Sequence, residues 1–383
     1  VPPSDSWAEW AAAKNAKARA KDRWRELTAF DAKGPRGELA GRPVVSFASN
    51  DYFGLSAHPA VAAAAQDALL RWGAGAGSAR LLGGSRPVHQ ELEAELAAWK
   101  ASDAALVFPS GFQANVGALS ALAGPGVLVA GDALNHASII DGCRLASALG
   151  ATFEAYPHLD AGAASRLLAR WDGRAVVVTD TVFSMDGDVA PVEELAEACA
   201  RHGALLVLDE AHAALGPHPR DLPCETLHVG TLSKMLGSQG GFVAGRREMV
   251  EALVNRCRSF IFTTGLAPPS AAAALAALRV LLSPEGDALV AALRRHATRL
   301  APERATPSPI VPVVVGSEAA ALEAASQLLR QGLYVPAVRP PTVPPGTSRL
   351  RISLSAAHSD EEVSLLQSSL AGLAATAGRH GHR

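Results

Sequence analysis

The segment TLSKMLGSQGG, Thr231 to Gly241, keeps a lysine in a chain that has largely turned to arginine. The chain has six lysines, Lys14, Lys17, Lys21, Lys33, Lys100 and Lys234. After Lys100 only Lys234 remains, and arginine fills nearly every other basic position. On a solvated surface the two cations are interchangeable. Arginine, however, stays charged and cannot form a Schiff base, whereas a lysine amine loses its proton when desolvated or set beside another cation. Taken alone, Lys234 is equally well explained as a chance survivor. Its neighbours favour chemistry: small residues around it let the backbone approach a bulky ligand, and Thr231 offers a hydroxyl suited to a phosphate.

Asp209 ends the apolar run ALLVLDEAH. The carboxyl ends of parallel strands are where open α/β sheets bind ligands, and the plainer alternative is a helix N-cap. His212 follows three residues on, a spacing that can bring acid and imidazole to one ligand. VVVTDTVFSMDGDVAP repeats the pattern, with Ser184 as a hydrogen-bond donor or as ordinary turn chemistry. Asp186 and Asp188 do not meet a calcium-loop pattern. FPSGFQANVGAL reads as strand, turn and helix, so the free N–H groups of Gly111 and Phe112 at a helix start form an anion site. In ALNHASIIDG, His136 stands at another helix start, to stack on a flat ring or to cap. WGAGAGSARLLGGS has the glycines of a dinucleotide loop but follows a helix, so that context is missing. A phosphate cradle, an acid at a strand end, a stacking imidazole and a Schiff-base lysine together describe a pyridoxal 5′-phosphate site.

These residues need a scaffold that aligns strand ends. From about residue 88, helical stretches alternate with short continuous apolar runs, AALVF, GVLVA, TFEAY, RAVVVTD and ALLVLDEAH. Such runs suit parallel strands buried on both faces. The expected fold is α/β with a mostly parallel central sheet in a large domain, residues 46–268. A helical arm, 1–45, precedes it. A smaller α+β domain, 269–383, follows, with a long helix over roughly 270–298 and a tail, AGRHGHR, expected to fray.

Composition removes several alternatives. A net charge of −2 argues against a nucleic-acid binder, which needs a basic surface. Cys143, Cys199, Cys224 and Cys257 are widely spaced, unlike a zinc site or a disulfide scaffold, and no metal is expected. No stretch is apolar and long enough to span a bilayer, and the first residues carry no secretory apolar core. The expected setting is the cytoplasm.

In order, ASNDYFGLS, HQELEAELA, SGFQAN, NHASIIDG, VFSMDGDVAP, LVLDEAH, TLSK and RPPTVPPGTSRLRISLSAAH run from residue 48 to 358. On these stretches the chain resembles the α-oxoamine synthase family, within the fold-type I, aspartate aminotransferase-like, pyridoxal phosphate enzymes. The resemblance implies an acyltransferase in which Lys234 binds the cofactor aldehyde and later moves protons. Asp209 pairs with the pyridine nitrogen, His136 stacks on the ring, and Ser184 and His212 contact the ring oxygen. Gly111, Phe112 and Thr231 hold the phosphate. Thr263 or Thr264 reaches the phosphate of a neighbouring subunit, which implies a homodimer with shared active sites. Arg351 takes the amino-acid carboxylate, with Asn50 close to the substrate. Arg23 or Arg25 meets the far carboxylate of the acyl chain, and Thr342, in RPPTVPPG, belongs to the same substrate-binding set. Within the family, RPPTVPPGTSRLR is most like the branch that joins L-alanine to a pimeloyl thioester, on coenzyme A or an acyl carrier protein, in making the biotin ring system. Relatives using glycine or serine, and an aminotransferase, are the alternatives. One departure is visible: after DEAH the family commonly has glycine and a Gly-Arg-Gly loop, whereas here Ala213 follows and the interval to Lys234 is short.

Overall fold

The computed structural model describes residues 6–380, with side chains described through residue 373. The last residues of the tail expected to fray lie outside the described residues. The centre is a seven-stranded sheet in the order Ala104–Phe108, Gly241–Gly245, Thr226–Thr231, Leu205–Asp209, Arg174–Asp180, Val127–Asp132, Thr152–Tyr156. Gly241–Gly245 is antiparallel to both neighbours, and the remaining pairings are parallel. This is the mostly parallel α/β sheet expected.

Successive strand residues enter different cores, as a period of two requires. Val176 and Val178 join one cluster with Val207, Val229 and Val243, while Val177 joins the other with Leu206 and Leu208. Helices Gly111–Leu122, Ala137–Ala148 and Arg247–Arg256 contribute to the first cluster, and Ala161–Ala169 and Val192–His202 to the second. Burying each such aliphatic side chain contributes about 1.5–3 kcal/mol. The sheet is therefore rigid enough to hold the loops at its strand ends.

Two of its strands were absent from the sequence reading. Thr226–Thr231 carries a buried His228 in its middle, and Gly241–Gly245 is short and bounded by glycine, so neither reads as a plain apolar run. The single helix expected over 270–298 is two, Pro268–Leu281 and Pro284–Leu300. Pro284 donates no N–H and keeps Ser283 extended (φ −103°, ψ 171°), so the first helix stops before it.

The expected helical arm is also amended. Helix Trp7–Arg19 opens with a capping box between Ser6 and Glu9. The strands Phe30–Lys33, Arg36–Leu39 and Arg42–Ser46 then form an antiparallel meander. Gly34 and Gly41 supply the positive φ angles its turns require. Arg42–Ser46 pairs in parallel with Leu333–Tyr334, so the expected boundary at residue 45 falls inside a strand shared with the C-terminal region. There, Ile310–Gly316, Ser348–Ser353 and Ala337–Val338 form a second antiparallel sheet.

Candidate active site

Three of the parallel strands deliver their last residues, Asp180, Asp209 and Thr231, to one cavity of about 200 Å³. After Phe108 the chain turns at Ser110, whose Oγ accepts the Gln113 N–H (3.2 Å) and starts helix Gly111–Leu122. Gly111 and Phe112 line the cavity at that helix start. Thr231 and Gly241 pack against the same turn. A Cβ on Gly241 would sit 2.5 Å from the Gly111 nitrogen, so only glycine fits there. Thr231 Oγ1 donates to the Gly240 carbonyl (3.0 Å) and lies 2.7 Å from Ser233 Oγ.

Beyond Asp132, Asn135 pins the turn by donating to the Val178 carbonyl and accepting the Asp180 N–H (2.9 Å each). His136 then caps helix Ala137–Ala148 and also lines the cavity. Its N–H donates to Asp180 Oδ2 (2.7 Å). Asp180 lies directly beside Asp209 in the sheet. Burial and the neighbouring Asp209 charge push the Asp180 carboxyl well above the ordinary range. Asp209 is held by the Ala211 N–H (2.9 Å) and by Asn115 Nδ2 (2.6 Å). Asn115 Oδ1 is buried without a partner.

Lys234 completes the cavity. Its Nζ lies 2.7 Å from His212 Nε2, and His212 Nδ1 lies 2.5 Å from the Tyr52 hydroxyl. Burial lowers the Lys234 amine below its usual range, against the pull of Asp209 and Asp180. Burial also lowers His136 and, together with the Lys234 charge, brings His212 far below its ordinary value, so both imidazoles are neutral near pH 7.

Gly111, Phe112, His136, Asp209, Thr231 and Lys234 thus share one cavity, with His212 touching the lysine. Ser184, Thr263 and Thr264 are not in its lining. The Ser184 carbonyl instead accepts from Arg351 Nε (2.5 Å). Arg351 is buried, and its guanidinium also donates to Asn50 Oδ1 (3.2 Å) and Ser353 Oγ (2.7 Å). Its partners among the described residues are neutral oxygens, leaving a buried cation able to take an anion.

A second cavity of about 190 Å³ is lined by Arg23, Arg25, Arg339 and Thr342. It begins next to Pro336, whose carbonyl accepts the Arg351 N–H (3.0 Å). Arg23 is bound to Glu318 (3.0 Å), whereas among the described residues the Arg25 side chain donates only to the Thr342 hydroxyl (3.3 Å).

The sequence reading missed Asp180, Asn115 and Tyr52. Asp180 ends VVVTD as Asp209 ends LLVLD, so the strand-end rule applies to it equally. Asn115 stands one helical turn after Gly111, which turns it toward the same opening. Tyr52 carries no pattern of its own, because only the tertiary fold brings it to His212.

The donor set fits pyridoxal 5′-phosphate. A helix start with hydroxyls beside it suits a phosphate, a buried carboxylate suits a pyridinium nitrogen, and a neutral flat imidazole and a desolvated amine stand in the same cavity. Comparison with known proteins agrees. The family model for aminotransferase class I and II matches residues 42–370. The chain is 50% identical over 359 residues to the 8-amino-7-oxononanoate synthase of Anaeromyxobacter dehalogenans strain 2CP-1, covering 89% of each. The enzyme of that name from Methylobacterium sp. strain 4-46 is 46% identical over 98% of this chain and 100% of its own. A serine palmitoyltransferase from S. paucimobilis, solved with a bound PLP–myriocin aldimine, superposes with a TM-score of 0.89 at 30% identity, covering 97% of this chain and 98% of that one. The chain therefore belongs to the aminotransferase class I and II family and, within it, to the 8-amino-7-oxononanoate synthases, acyl-transferring enzymes of fold type I whose cofactor is pyridoxal 5′-phosphate.

Proposed function

We propose that the protein condenses L-alanine with a pimeloyl thioester, carried on acyl carrier protein or coenzyme A. The products are 8-amino-7-oxononanoate, CO2 and the free thiol carrier, in the biosynthesis of biotin. The observation that carries the reading is that a lysine amine and a strand-end carboxylate line one cavity with the start of a helix. Gly111, Phe112 and Thr231 would hold the cofactor's phosphate, His136 its ring face, Asp209 its ring nitrogen and Lys234 its aldehyde. Bound there, the cofactor supplies an electron sink for charge developing at the amino-acid α-carbon.

The chain's own residues account for the remaining steps. Arg351, fixed by Asn50, Ser353 and the Ser184 carbonyl, receives the alanine carboxylate as a preorganised cation. Lys234, released as a neutral amine when alanine takes its place, removes the α-proton, which its desolvated setting favours. The carbon then attacks the thioester, the thiol leaves, and the original carboxylate departs as CO2. Arg25 and Thr342 take the distal carboxylate of the acyl chain. Arg25 suits this better than Arg23, whose charge is already matched by Glu318.

The reading includes a cytoplasmic homodimer. Its four cysteines are free, as in a reducing compartment. Phe112, Phe262, Leu81 and Leu82 are exposed, an apolar set suited to a second copy, which would bring Thr263 or Thr264 to the partner's phosphate site. No described helix is long and apolar enough to cross a membrane.

The test supplies purified protein and cofactor with alanine, glycine or serine and with pimeloyl or shorter acyl thioesters, following free thiol and product mass. Thiol release with the 8-amino-7-oxononanoate mass only from alanine and the pimeloyl donor is expected. Release with another pair would indicate a sibling condensation, and amino transfer without thiol release would refute the reaction. With Arg25→Ala the KM for the acyl donor should rise about 10- to 100-fold, the loss of one charge-assisted hydrogen bond of about 1.5–3 kcal/mol. Arg23→Ala should raise it less. The reverse ranking would exchange their roles.

A further inference from the structure

We infer that Tyr52 is a positioning residue for the catalytic lysine: through its hydroxyl, the tautomer of His212 follows the charge on Lys234. The inference rests on the proposed role of Lys234 as the proton-moving amine.

His212 is buried, and each ring nitrogen faces one partner, Nδ1 the Tyr52 hydroxyl at 2.5 Å and Nε2 the Lys234 amine at 2.7 Å. A neutral imidazole carries a single N–H, on one nitrogen or the other. An ammonium at Lys234 has only donors, so Nε2 must accept and the proton must sit on Nδ1. The Nδ1–H then donates to Tyr52, whose own hydroxyl hydrogen needs another acceptor. Asn50 Oδ1 is that acceptor, 3.2 Å away. When Lys234 is a neutral amine, Nε2 can carry the proton, Nδ1 becomes an acceptor, and the Tyr52 hydroxyl turns to donate to it. His212 is fully hydrogen-bonded in both states because the phenol accepts in one and donates in the other; its own hydrogen goes to Asn50 Oδ1 in the first state, and its oxygen faces Arg351 in the second.

Asn50 Oδ1 also accepts from Arg351, so in the ammonium state the chain Arg351–Asn50–Tyr52–His212–Lys234 runs unbroken from the cation proposed for the substrate carboxylate to the amine. The other titratable groups at this point are Asp209, Asp180 and His136. Burial raises the Tyr52 phenol to about 12, so it stays protonated, and His212 stays neutral. Tyr52 is fully buried, and only its oxygen enters this chain.

In the ammonium state the chain is charge-assisted and its hydrogen bonds polarise one another, so removing the hydroxyl harms that state more. The full-length protein, freed of cofactor, would be treated with a small acylating reagent across pH, and modification of Lys234 read by peptide mass spectrometry. Tyr52→Phe should lower the midpoint for Lys234 by about one pH unit and leave Lys14 and Lys17 unmoved. In a His212→Asn background, Tyr52→Phe should have no further effect. An unmoved midpoint, or an equal shift without His212, would overturn the inference. A second measurement needs no substitution at Tyr52. In wild type labelled with 15N-histidine, the His212 signal, assigned by its loss in His212→Asn, should pass from the Nδ1–H to the Nε2–H form as pH rises through the Lys234 midpoint. One tautomer throughout would also overturn it. Neither readout uses substrate, so a wrong substrate assignment would show in the thioester panel and leave these results intact.

Discussion

Lys234→Ala should lower thiol release by more than about 10⁴-fold, above the usual range for loss of a general base, because in the proposed function the same amine also anchors the cofactor. Borohydride should fix the yellow colour of the wild type to the chain and fix none in the variant. Lys234→Arg is the sharper comparison. It keeps the charge and most of the length, yet its guanidinium gives up no proton and forms no Schiff base. It should be as inactive as the alanine variant. Both should fold, and the alanine variant should have an unfolding midpoint at or above that of wild type, since it removes a cation that burial disfavours, whereas the arginine variant keeps one. More than about one per cent of wild-type turnover in Lys234→Arg, measured by thiol release, would remove Lys234 from the proton-transfer role.

The largest effect on stability is expected next door. Glu210 follows Asp209 but faces away from the cavity, where its two oxygens bind Lys100 and His228. All three side chains are buried or nearly so. Burial by itself would raise the Glu210 carboxyl, but the Lys100 ammonium and the His228 imidazole outweigh it and hold it at about 2. Glu210→Ala strands a buried cation and should cost about 3–5 kcal/mol, the range for breaking a buried pair from one side. Urea unfolding at pH 7 reads this directly, and Glu210→Gln should lose less. The pH dependence has a definite sign. The folded carboxyl lies below its ordinary 4.5, so its contribution is full above that value and is lost as pH falls toward 2. The gap between wild type and Glu210→Ala should narrow over that interval. A gap that stays constant down to pH 3 would assign the loss to packing.

This ion pair also completes the account of the lysines. Beyond the first 33 residues only Lys100 and Lys234 occur. One sits in a buried ion pair and the other in the cavity. The sequence offered a reason for Lys234, from its small neighbours and Thr231, and none for Lys100, because the partner that holds it lies 110 residues away. The same division runs through the rest of the molecule. Strands buried on both faces were legible as unbroken apolar runs, and the ligand side followed from the residues ending those runs. The Gly241–Gly245 strand was not legible, since its small residues are set by close approach to Gly111 and not by any local preference. Tyr52 was hidden for the same kind of reason, its hydroxyl finding His212 across 160 residues of sequence.

The position of Gly241–Gly245 in the sheet also bears on how the chain assembles as it is made. Among the described residues Ala104–Phe108 has this strand as its only neighbour in the sheet, so it leaves the ribosome roughly 130 residues before its partner, a wait of about 7–26 s at 5–20 residues per second. Arg42–Ser46 waits longer for its outer partner, Leu333–Tyr334. The nascent chain can build its parallel strands in succession from Val127 onward, but the helix start at Gly111 is enclosed only when Thr231 and then Gly241 arrive beside it. Completion of the cavity is thus a late event of synthesis, coupled to the closing of the sheet.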